Sequence, residues 1–431
     1  MQGPGKAARP VSGWRYGALA LPLAFASLPV YVLLPDHYAR NFGTSLPVLG
    51  AVLLLTRLFD AFIDPLVGRW ADALFRAGSR APLAVMAGAS ASLTGGFAAL
   101  WWPPTQPGAA QYAWLGAALV LTYGSFSTVS VIHQAWGARL GGPATARARI
   151  FAWREGATLC GVLLASVLPS LAGFGAMTLA LLAGLAVGVA LLGASGSRPG
   201  REPGPAIPAG RGDRSPWRDA AFRSLIGIYT VNGIAAALPA TLLPFFVSDV
   251  LHAPEWQPVF LATYFLSAVL AMPAWVRAVR FFGLASSWLL GMILSVATFF
   301  LVPWLGSGDA VFFAFICAAS GAALGADLAL PGALLAGVAR SAGPAAAAGG
   351  VEGRYFGWWT CAGKLSLALA AGSALPLLSL VGYFPGTVSV HAVSALGFCY
   401  GGLPCGFKLV AAGWLWHARR RHGVLQGNGG Q

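Results

Sequence analysis

The chain has 431 residues, of which 57% are hydrophobic and only 9% are charged. Soluble domains carry about 25% charged residues, so this composition excludes an ordinary soluble protein and indicates an integral membrane protein. Its long apolar runs indicate membrane-spanning helices rather than a β-barrel. The formal charge of +14 does not indicate nucleic-acid binding, because the basic residues fall in short loops where membrane topology explains them.

Twelve apolar stretches, each long enough to cross a membrane as a helix, follow one another along the chain. The predicted spans lie at about residues 14–37, 45–71, 82–102, 111–137, 153–172, 175–195, 222–247, 257–280, 284–305, 310–337, 354–380 and 388–416. Residues 197–221 are rich in Gly, Pro and Arg, which predicts a flexible cytoplasmic linker. The sequence therefore predicts an all-α membrane protein of twelve transmembrane helices in two pseudo-symmetric six-helix halves, residues 1–196 and 222–431.

Basic residues cluster on one set of connections between the spans. Nearly all of them lie at the two termini or after even-numbered spans, whereas the other connections hold Arg40 together with Asp36, Asp249, Glu255 and Asp309. Cytoplasmic loops carry an excess of Lys and Arg, so we expect both termini in the cytoplasm and the chain in a bacterial-type inner membrane. The first apolar run is too long for a signal peptide and lacks a cleavage site, so we expect the mature protein to retain it.

Two aspartates lie inside the second apolar span. Asp60 and Asp64 are four residues apart, so on a helix both carboxylates point to one face, and Arg57 lies on that face too. Charges at membrane depth are costly unless they are paired or hydrated, and they mark functional sites. We predict that Asp60 and Asp64 take up H⁺ or bind Na⁺, while Arg57 neutralises and orients them. H⁺ is favoured, because two carboxylates alone make a poor Na⁺ site. The alternative is an ion pair with Arg57 that only holds helices together.

Three further charges lie inside later spans. Lys364 is in the middle of the eleventh span, so we expect its ammonium to face Asp60 and Asp64 across a central cavity, with snorkelling to the surface as the alternative. Asp327 is flanked by Gly and Pro in the tenth span, and helix packing and a substrate or gating role are equally open. Lys408 is near the end of the last span and is predicted to be a peripheral anchor.

A substrate site is expected to combine aromatic rings with polar groups, since the CH-rich faces of sugars stack on rings. The candidate substrate-binding residues are Tyr123, Ser127, Asp327, Trp358 and Trp359. For each aromatic residue, packing or interfacial anchoring is the alternative.

A gate motif follows the second span. Gly68-x-x-x-Asp72 with Arg76 and Arg80 resembles the loop 2–3 motif of the major facilitator superfamily, in which an Asp at a helix end meets loop arginines. Two six-helix halves joined by a long loop fit that architecture. Arg154 and Glu155 open the fifth span and are expected to form a further ion pair of the gate.

The helix II motif Arg57-x-x-Asp60-x-x-x-Asp64-Pro65-x-x-Gly68-x-x-x-Asp72 resembles that of the glycoside–pentoside–hexuronide:cation symporters, the family of the melibiose carrier. Tyr355-Phe356-Gly357-Trp358-Trp359 leading to Lys364 resembles its eleventh-helix segment. The resemblance covers nearly the whole chain. It implies cation-coupled symport of a sugar or glycoside by alternating access, with cation binding at Asp60 and Asp64 and a coupling role for Lys364.

The chain departs from that family at the sugar site. The position of the melibiose carrier's sugar-binding Asp in helix I falls near Leu23 or Ala24, and its helix IV carboxylate corresponds to a place near Ser127. An exporter or carrier of an amphiphilic, lipid-like solute on the same fold is therefore the alternative function.

An enzyme is not expected, because the sequence holds no nucleophile–base pair, metal cluster or phosphate loop. The five cysteines lie in apolar segments without CxxC spacing and predict neither a metal centre nor a disulfide framework. We expect no cofactor beyond H⁺ or Na⁺ as the coupling ion. The expected partners are a small-molecule solute and the lipid bilayer, and the protein is expected to function as a monomer.

Overall fold

The computed structural model describes residues 13–44, 46–78, 80–103, 108–194, 215–342, 351–380 and 389–423, and these residues are helical apart from short connections. The helices are α1 (Gly13–Gly17), α2 (Ala20–Phe42), α3 (Leu46–Ala77), α4 (Arg80–Trp101), α5 (Ala109–Arg139), α6 (Ala144–Ala194), α7 (Ala220–Asp249), α8 (Gln257–Phe282), α9 (Leu284–Phe299), α10 (Ala310–Arg340), α11 (Glu352–Leu380), α12 (Val390–Gly397) and α13 (Leu403–Arg421).

The helices account for the twelve predicted spans. α1 and α2 together form the first span, and α6 forms the fifth and sixth, because its backbone leaves the helical region at Gly173 (φ 73°). A π-helical turn, Phe398–Gly402, joins α12 to α13 in the last span. The prediction of an all-helical membrane protein is confirmed.

The spans differ in how apolar they are. By length and composition alone, nine helical stretches of the described residues are long and apolar enough to cross a membrane. The spans that do not meet this description are α3, the part of α6 before Gly173, and α11. These three helices carry Asp60, Arg154 and Lys364, whereas α10 and α13, which carry Asp327 and Lys408, are among the nine.

We refer to residues 13–194 as the N-terminal helices and to residues 215–423 as the C-terminal helices. One apolar core lies wholly within the N-terminal helices and another wholly within the C-terminal helices. A third joins the two groups, where Phe151 of α6 stacks on Phe356 of α11 with ring centroids 5.8 Å apart. The predicted linker, residues 197–221, lies outside the described residues as far as residue 214.

The two groups meet mainly through α3 against α11 and through α6 against α8 and α10. These contacts place α3, α5 and α6 of one group next to α8, α10 and α11 of the other. The predicted site residues lie on these helices, so the interface positions the site.

Candidate functional site

A cluster of ionised groups lies where α3, α5 and α11 meet. Asp60 and Asp64 project from one face of α3, as their spacing predicts. Nζ of Lys364 lies 2.7 Å from Oδ1 of Asp60 and 3.0 Å from Oδ2 of Asp64. Nζ also donates to Oγ of Ser127 at 2.8 Å and to the carbonyl oxygen of Asp60 at 3.1 Å. The predicted contact between Lys364 and the aspartates is confirmed, and we call these four residues the carboxylate cluster.

With Asp60 and Asp64 ionised and Lys364 protonated, the carboxylate cluster carries one net negative charge. Asp64 is 0% exposed, and among the described residues its Oδ2 has only the Lys364 ammonium at 3.0 Å, a contact that lacks hydrogen-bond geometry. Ser127 donates to Oδ1 of Asp60 at 2.7 Å. The cluster therefore keeps a buried, negatively charged oxygen that can still accept a proton or ligate a cation.

Arg57 does not neutralise the aspartates. Its guanidinium carbon lies 4.0 Å from the ring centroid of Tyr31 on α2. Tyr123 lies near both Arg57 and Asp60. The prediction that Arg57 balances the pair is wrong, because its side chain extends toward α2, whereas α11 supplies the neutralising ammonium of Lys364.

A cavity of about 500 Å³ lies between the N-terminal and C-terminal helices. This volume is in the range of sites for small molecules. Its charged lining residues are Arg154, Glu155, Asp327 and Lys364. Much of the remaining wall is apolar, with Phe151, Leu159, Phe265, Leu324 and Leu367 among its members. Lys364 belongs both to the cavity wall and to the carboxylate cluster, so the two are in direct contact.

Two of the candidate substrate residues line this cavity. Trp359 faces it and stacks on Tyr229 with ring centroids 3.6 Å apart, and Asp327 faces it from α10. Trp358 instead lies edge-on against Trp217, 5.1 Å between ring centroids. Ser127 belongs to the carboxylate cluster and Tyr123 lies near Arg57, and neither residue lines the cavity.

Arg154 and Glu155 line the cavity and form an ion pair with each other. Their mutual pairing agrees with the sequence. Their position corrects it, because α6 carries them into the cavity wall rather than to the gate.

A second buried ion pair lies within the C-terminal helices. Asp327 of α10 pairs with Lys408 of α13, and Lys408 also donates to Oδ1 of Asn232 at 3.0 Å. The Asp327 carboxylate accepts from Nε1 of Trp288 at 2.8 Å. Lys408 is only 5% exposed, so the prediction of a peripheral anchor is wrong. Packing of α13 against α7 and α9 turns this face of the helix inward. The signal in the sequence was the complementary charge at membrane depth in the tenth and last spans.

Asp72 joins the two groups of helices at one end of the bundle, here called the Asp72 end. Its carboxylate is 0% exposed and accepts from the backbone N–H of Gly353 at 2.7 Å and of Arg354 at 3.0 Å. These N–H groups belong to the first turn of α11, where they lack partners within the helix. Nη2 of Arg139 lies 3.0 Å from both Asp72 and Glu352.

The arginines predicted for the gate motif lie elsewhere. Arg76 and Arg80 are exposed, and neither pairs with a carboxylate of the described residues. Arg139 and Arg354 pair with Asp72 in their place. That part of the prediction is wrong, since the partners come from α5 and α11 rather than from the loop.

The bundle is closed at the Asp72 end. A Cβ at Gly68 would overlap the carbonyl oxygen of Gly353, so α3 and α11 contact each other through their backbones. Hydrogen bonds between the two groups in the described residues lie at the carboxylate cluster or nearer to the Asp72 end, and they include Gln134 to Thr360 at 3.2 Å and Arg147 to the carbonyl of Ala333 at 3.3 Å.

We predict that Gly68→Ala destabilises this closed conformation, because the new Cβ overlaps the backbone of α11. Overpacking of this kind costs about 1–3 kcal/mol. Gly50→Ala in the same helix is the matched control, since a Cβ there meets no atom within 4 Å. Thermal unfolding of both variants in lipid nanodiscs measures the difference, and equal unfolding temperatures would contradict the close contact.

Within the described residues, no group of three or more His, Cys, Asp or Glu side chains is placed to hold a metal ion. This agrees with the carboxylate cluster, whose two acids are complemented by an amine and a hydroxyl. At these oxygen atoms a proton or a monovalent cation can take the place of the Lys364 ammonium, next to a cavity of solute size.

Comparison with solved structures identifies the same fold. A bacterial homologue of the iron transporter ferroportin in the outward-facing state is similar over 96% of this chain and 100% of its own, with a TM-score of 0.68 and 16% identity. The human organic anion transporter MFSD10 (TETRAN) matches over 94% of this chain and 99% of its own, with a TM-score of 0.64 and 18% identity. FucP in the outward conformation matches over 93% and 98%, with a TM-score of 0.62 and 13% identity.

No curated protein matches the sequence significantly. The model of the family described as MFS/sugar transport protein matches residues 14–419. This match extends from α1 to the end of α13, and it agrees with the major facilitator fold of the structural relatives. The chain therefore belongs to the MFS/sugar transport protein family of the major facilitator superfamily and is a membrane transporter rather than an enzyme.

Proposed function

We propose that the protein is a secondary active transporter that couples entry of H⁺ or Na⁺ to symport of a sugar, glycoside or similar small solute by alternating access. The observation that carries the proposal is the Lys364 ammonium held between Asp60 and Asp64, which leaves one net negative charge in a buried site. The resemblance of the helix II motif to the glycoside–pentoside–hexuronide:cation symporters supports the same function.

In the carboxylate cluster, Lys364 and the coupling ion compete for the same oxygen atoms. Carboxylate oxygens of Asp60 and Asp64, the hydroxyl of Ser127 and the carbonyl of Asp60 surround the ammonium at 2.7–3.1 Å. Oxygen atoms of these kinds suit a hard cation, and Ser127 and the carbonyl add ligands that the two acids alone do not supply. A proton or Na⁺ would neutralise the cluster and release Lys364, and with it α11, from α3 and α5.

The closed Asp72 end supports alternating access. If the arginine-rich connections lie in the cytoplasm, Asp72 is on the cytoplasmic side and the present conformation is outward-facing. On this proposal both termini are cytoplasmic, the protein lies in a bacterial-type inner membrane, and residues 1–196 and 222–431 move as two halves of a monomer. Breaking the Lys364 contacts would remove one of the two sets of charged contacts between α11 and α3, and the Asp72 contacts would remain to control opening.

The cavity is the proposed solute site, with Trp359 as a stacking surface. We expect Trp359→Ala to weaken solute binding by about two- to tenfold, since stacking on an aromatic ring contributes about 0.5–1.5 kcal/mol beyond its buried area. Trp358→Ala is the matched control, because that ring contacts Trp217 instead of the cavity. Titrations of solute against each purified variant measure the effect, and an equal loss in both would place the solute elsewhere.

A carrier or exporter of an amphiphilic solute is the second candidate. It is favoured by the largely apolar cavity wall, and by buried Leu23 and Ala24 at the place of the melibiose carrier's sugar-binding acid. A thermal-shift screen of sugars, glycosides and amphiphiles separates the two candidates, because ligand binding to the folded state raises its unfolding temperature.

Uptake into proteoliposomes tests the proposed function. With a stabilising solute from the screen, an imposed inward gradient of H⁺ or Na⁺ should drive accumulation above the external concentration, and dissipating the gradient should return the internal concentration to the external one. Equal uptake with and without every gradient would refute coupling. Accumulation driven by an outward gradient would identify an exchanger.

A further inference from the structure

The buried pair Asp327–Lys408 lies inside one group of helices and makes no contact with the carboxylate cluster. Its members come from α10 and α13, and Asn232 of α7 joins them. Nδ2 of Asn232 donates to Oδ1 of Asp327 at 3.1 Å, while Oδ1 of Asn232 accepts from Lys408 at 3.0 Å. We call Asp327, Lys408 and Asn232 the Asp327 triad.

The Asp327 triad has two sides. Asp327 and Asn232 line the central cavity, whereas Lys408 lines a small side cavity of about 20 Å³ behind them, which Asp327 also borders. A space of that size holds about one water molecule. Lys408 therefore supports Asp327 from the side away from the solute cavity.

The donors around Asp327 fix its chemistry. Lys408, Asn232 and Trp288 all donate to its carboxylate, which holds it in one orientation. An ionised carboxylate only accepts hydrogen bonds. Three of its roughly four lone-pair sites are occupied by these donors, so about one remains for a hydroxyl donor of a solute, and the carboxylate repels a solute carboxylate or phosphate.

Charge is balanced throughout the cavity wall. Each charged residue lining the cavity in the described part of the chain has an oppositely charged partner in the protein: Arg154 with Glu155, Asp327 with Lys408, and Lys364 with the aspartates. A charged solute would find each charge of the cavity wall already paired, and the one excess negative charge lies behind Lys364 on Asp60 and Asp64, at the proposed site of the coupling cation. The solute would have to break one of these pairs and leave a buried charge without its partner.

We propose that Asp327 is a hydroxyl-binding residue of the solute site, that Lys408 is the positioning residue that holds its carboxylate in place, and that the site selects an electrically neutral, hydroxyl-rich solute. This proposal rests on the proposed function, since it names the solute class and the contacts of the same cavity. It accounts for a buried ion pair that the closed conformation and the carboxylate cluster do not use.

Charge-matched sugars test the solute class. Glucose, glucosamine and glucuronate share one ring and differ in charge at pH 7, and each is titrated against the full chain in lipid nanodiscs while thermal unfolding is followed. We expect stabilisation by glucose and none by the other two at equal concentration. Stabilisation by either charged sugar at least as strong as by glucose, or by none of the three, would overturn the proposal.

A paired substitution tests the role of the triad apart from its contribution to folding. Asp327→Asn together with Lys408→Met removes both charges at once, so no unpaired charge remains and the protein is expected to fold. Its affinity for glucose should fall by about 10- to 100-fold, the effect of losing a hydrogen bond to a charged group. The single variant Lys408→Arg should keep most of the affinity, since Asp327 is present and the positive charge beside it is retained.

The alternative outcome is equally defined. If the pair only stabilises the C-terminal helices, the double variant will bind glucose as tightly as the unmodified protein, and the proposal fails. The titrations contain no ion gradient, so their result is independent of whether Asp60 and Asp64 couple a cation. Glu255→Gln, an exposed carboxylate outside the cavity, is the control for general effects of charge removal.

Discussion

Replacement of Asp60 or Asp64 by Asn should abolish gradient-driven accumulation of solute while the protein still folds. Either change removes the net negative charge of the carboxylate cluster, since one carboxylate remains with Lys364. An amide also ligates a cation more weakly than a carboxylate does, and it takes up no proton near neutral pH. Loss of one charged contact weakens cation binding by about 10- to 100-fold. The ratio of internal to external solute should therefore fall to about one in uptake assays with an imposed gradient.

Folding is expected to survive because Asn keeps the size of Asp and retains an oxygen for Ser127 and Lys364. Solute exchange between equal concentrations on both sides reports whether the cavity still moves solute. Glu255→Gln is the control, since it removes an exposed carboxylate far from the cluster. Undiminished accumulation in both Asp60→Asn and Asp64→Asn would eliminate the cluster as the coupling site.

Asp72→Asn should open the Asp72 end. The amide has one oxygen where the carboxylate has two, so it cannot accept from both Gly353 and Arg354 as Asp72 does, and Arg139 loses a charged partner. Hydrogen bonds to charged groups contribute about 1.5–3 kcal/mol each, so the loss of one shifts the closed-to-open ratio by about 10- to 100-fold.

Spin labels measure this shift directly. Ala73 of α3 and Ser341 after α10 are exposed and belong to different groups of helices, so cysteines there report the separation of the groups at the Asp72 end. We expect a longer distance to gain population in the Asp72→Asn variant. Arg76→Gln is the matched control, because Arg76 is exposed and pairs with none of the described carboxylates. A distance distribution unchanged by Asp72→Asn would contradict the role of these contacts.

The number of spans could be read from the sequence because each apolar run is set by the thickness of the bilayer. The faces of α3 were equally predictable, since spacing by four residues fixes Asp60 and Asp64 on one side. The contact of Lys364 with them followed from the cost of an unpaired ammonium at membrane depth, a constraint that acts across the whole molecule.

Which face of each helix borders the cavity could not be read in the same way. Trp358 and Trp359 are neighbours in the sequence, yet only Trp359 lines the cavity, because the rotation of α11 is set by its packing against α3 and α7. The rotation of α13 likewise decides where Lys408 lies. Its distance from the helix end suggested the surface, whereas packing of α13 turned it toward Asp327.

Long side chains were a second source of error. Arg57 shares a face with Asp60, but its guanidinium reaches the ring of Tyr31 on the neighbouring helix. The sequence predicts gate arginines in the loop after α3. The partners of Asp72 are instead Arg139 and Arg354, which are far away in the sequence. Local spacing does not determine such contacts.

Simultaneous measurement of cation and solute flux tests the central claim most directly. In proteoliposomes with a solute gradient as the only driving force, inward solute movement should carry H⁺ or Na⁺ with it at about one cation per solute, matching the single net negative charge of the Asp60, Asp64 and Lys364 cluster. The same movement in Asp60→Asn should carry no cation. Solute flux without any cation flux in the unmodified protein, or an unchanged cation flux in Asp60→Asn, would contradict the account.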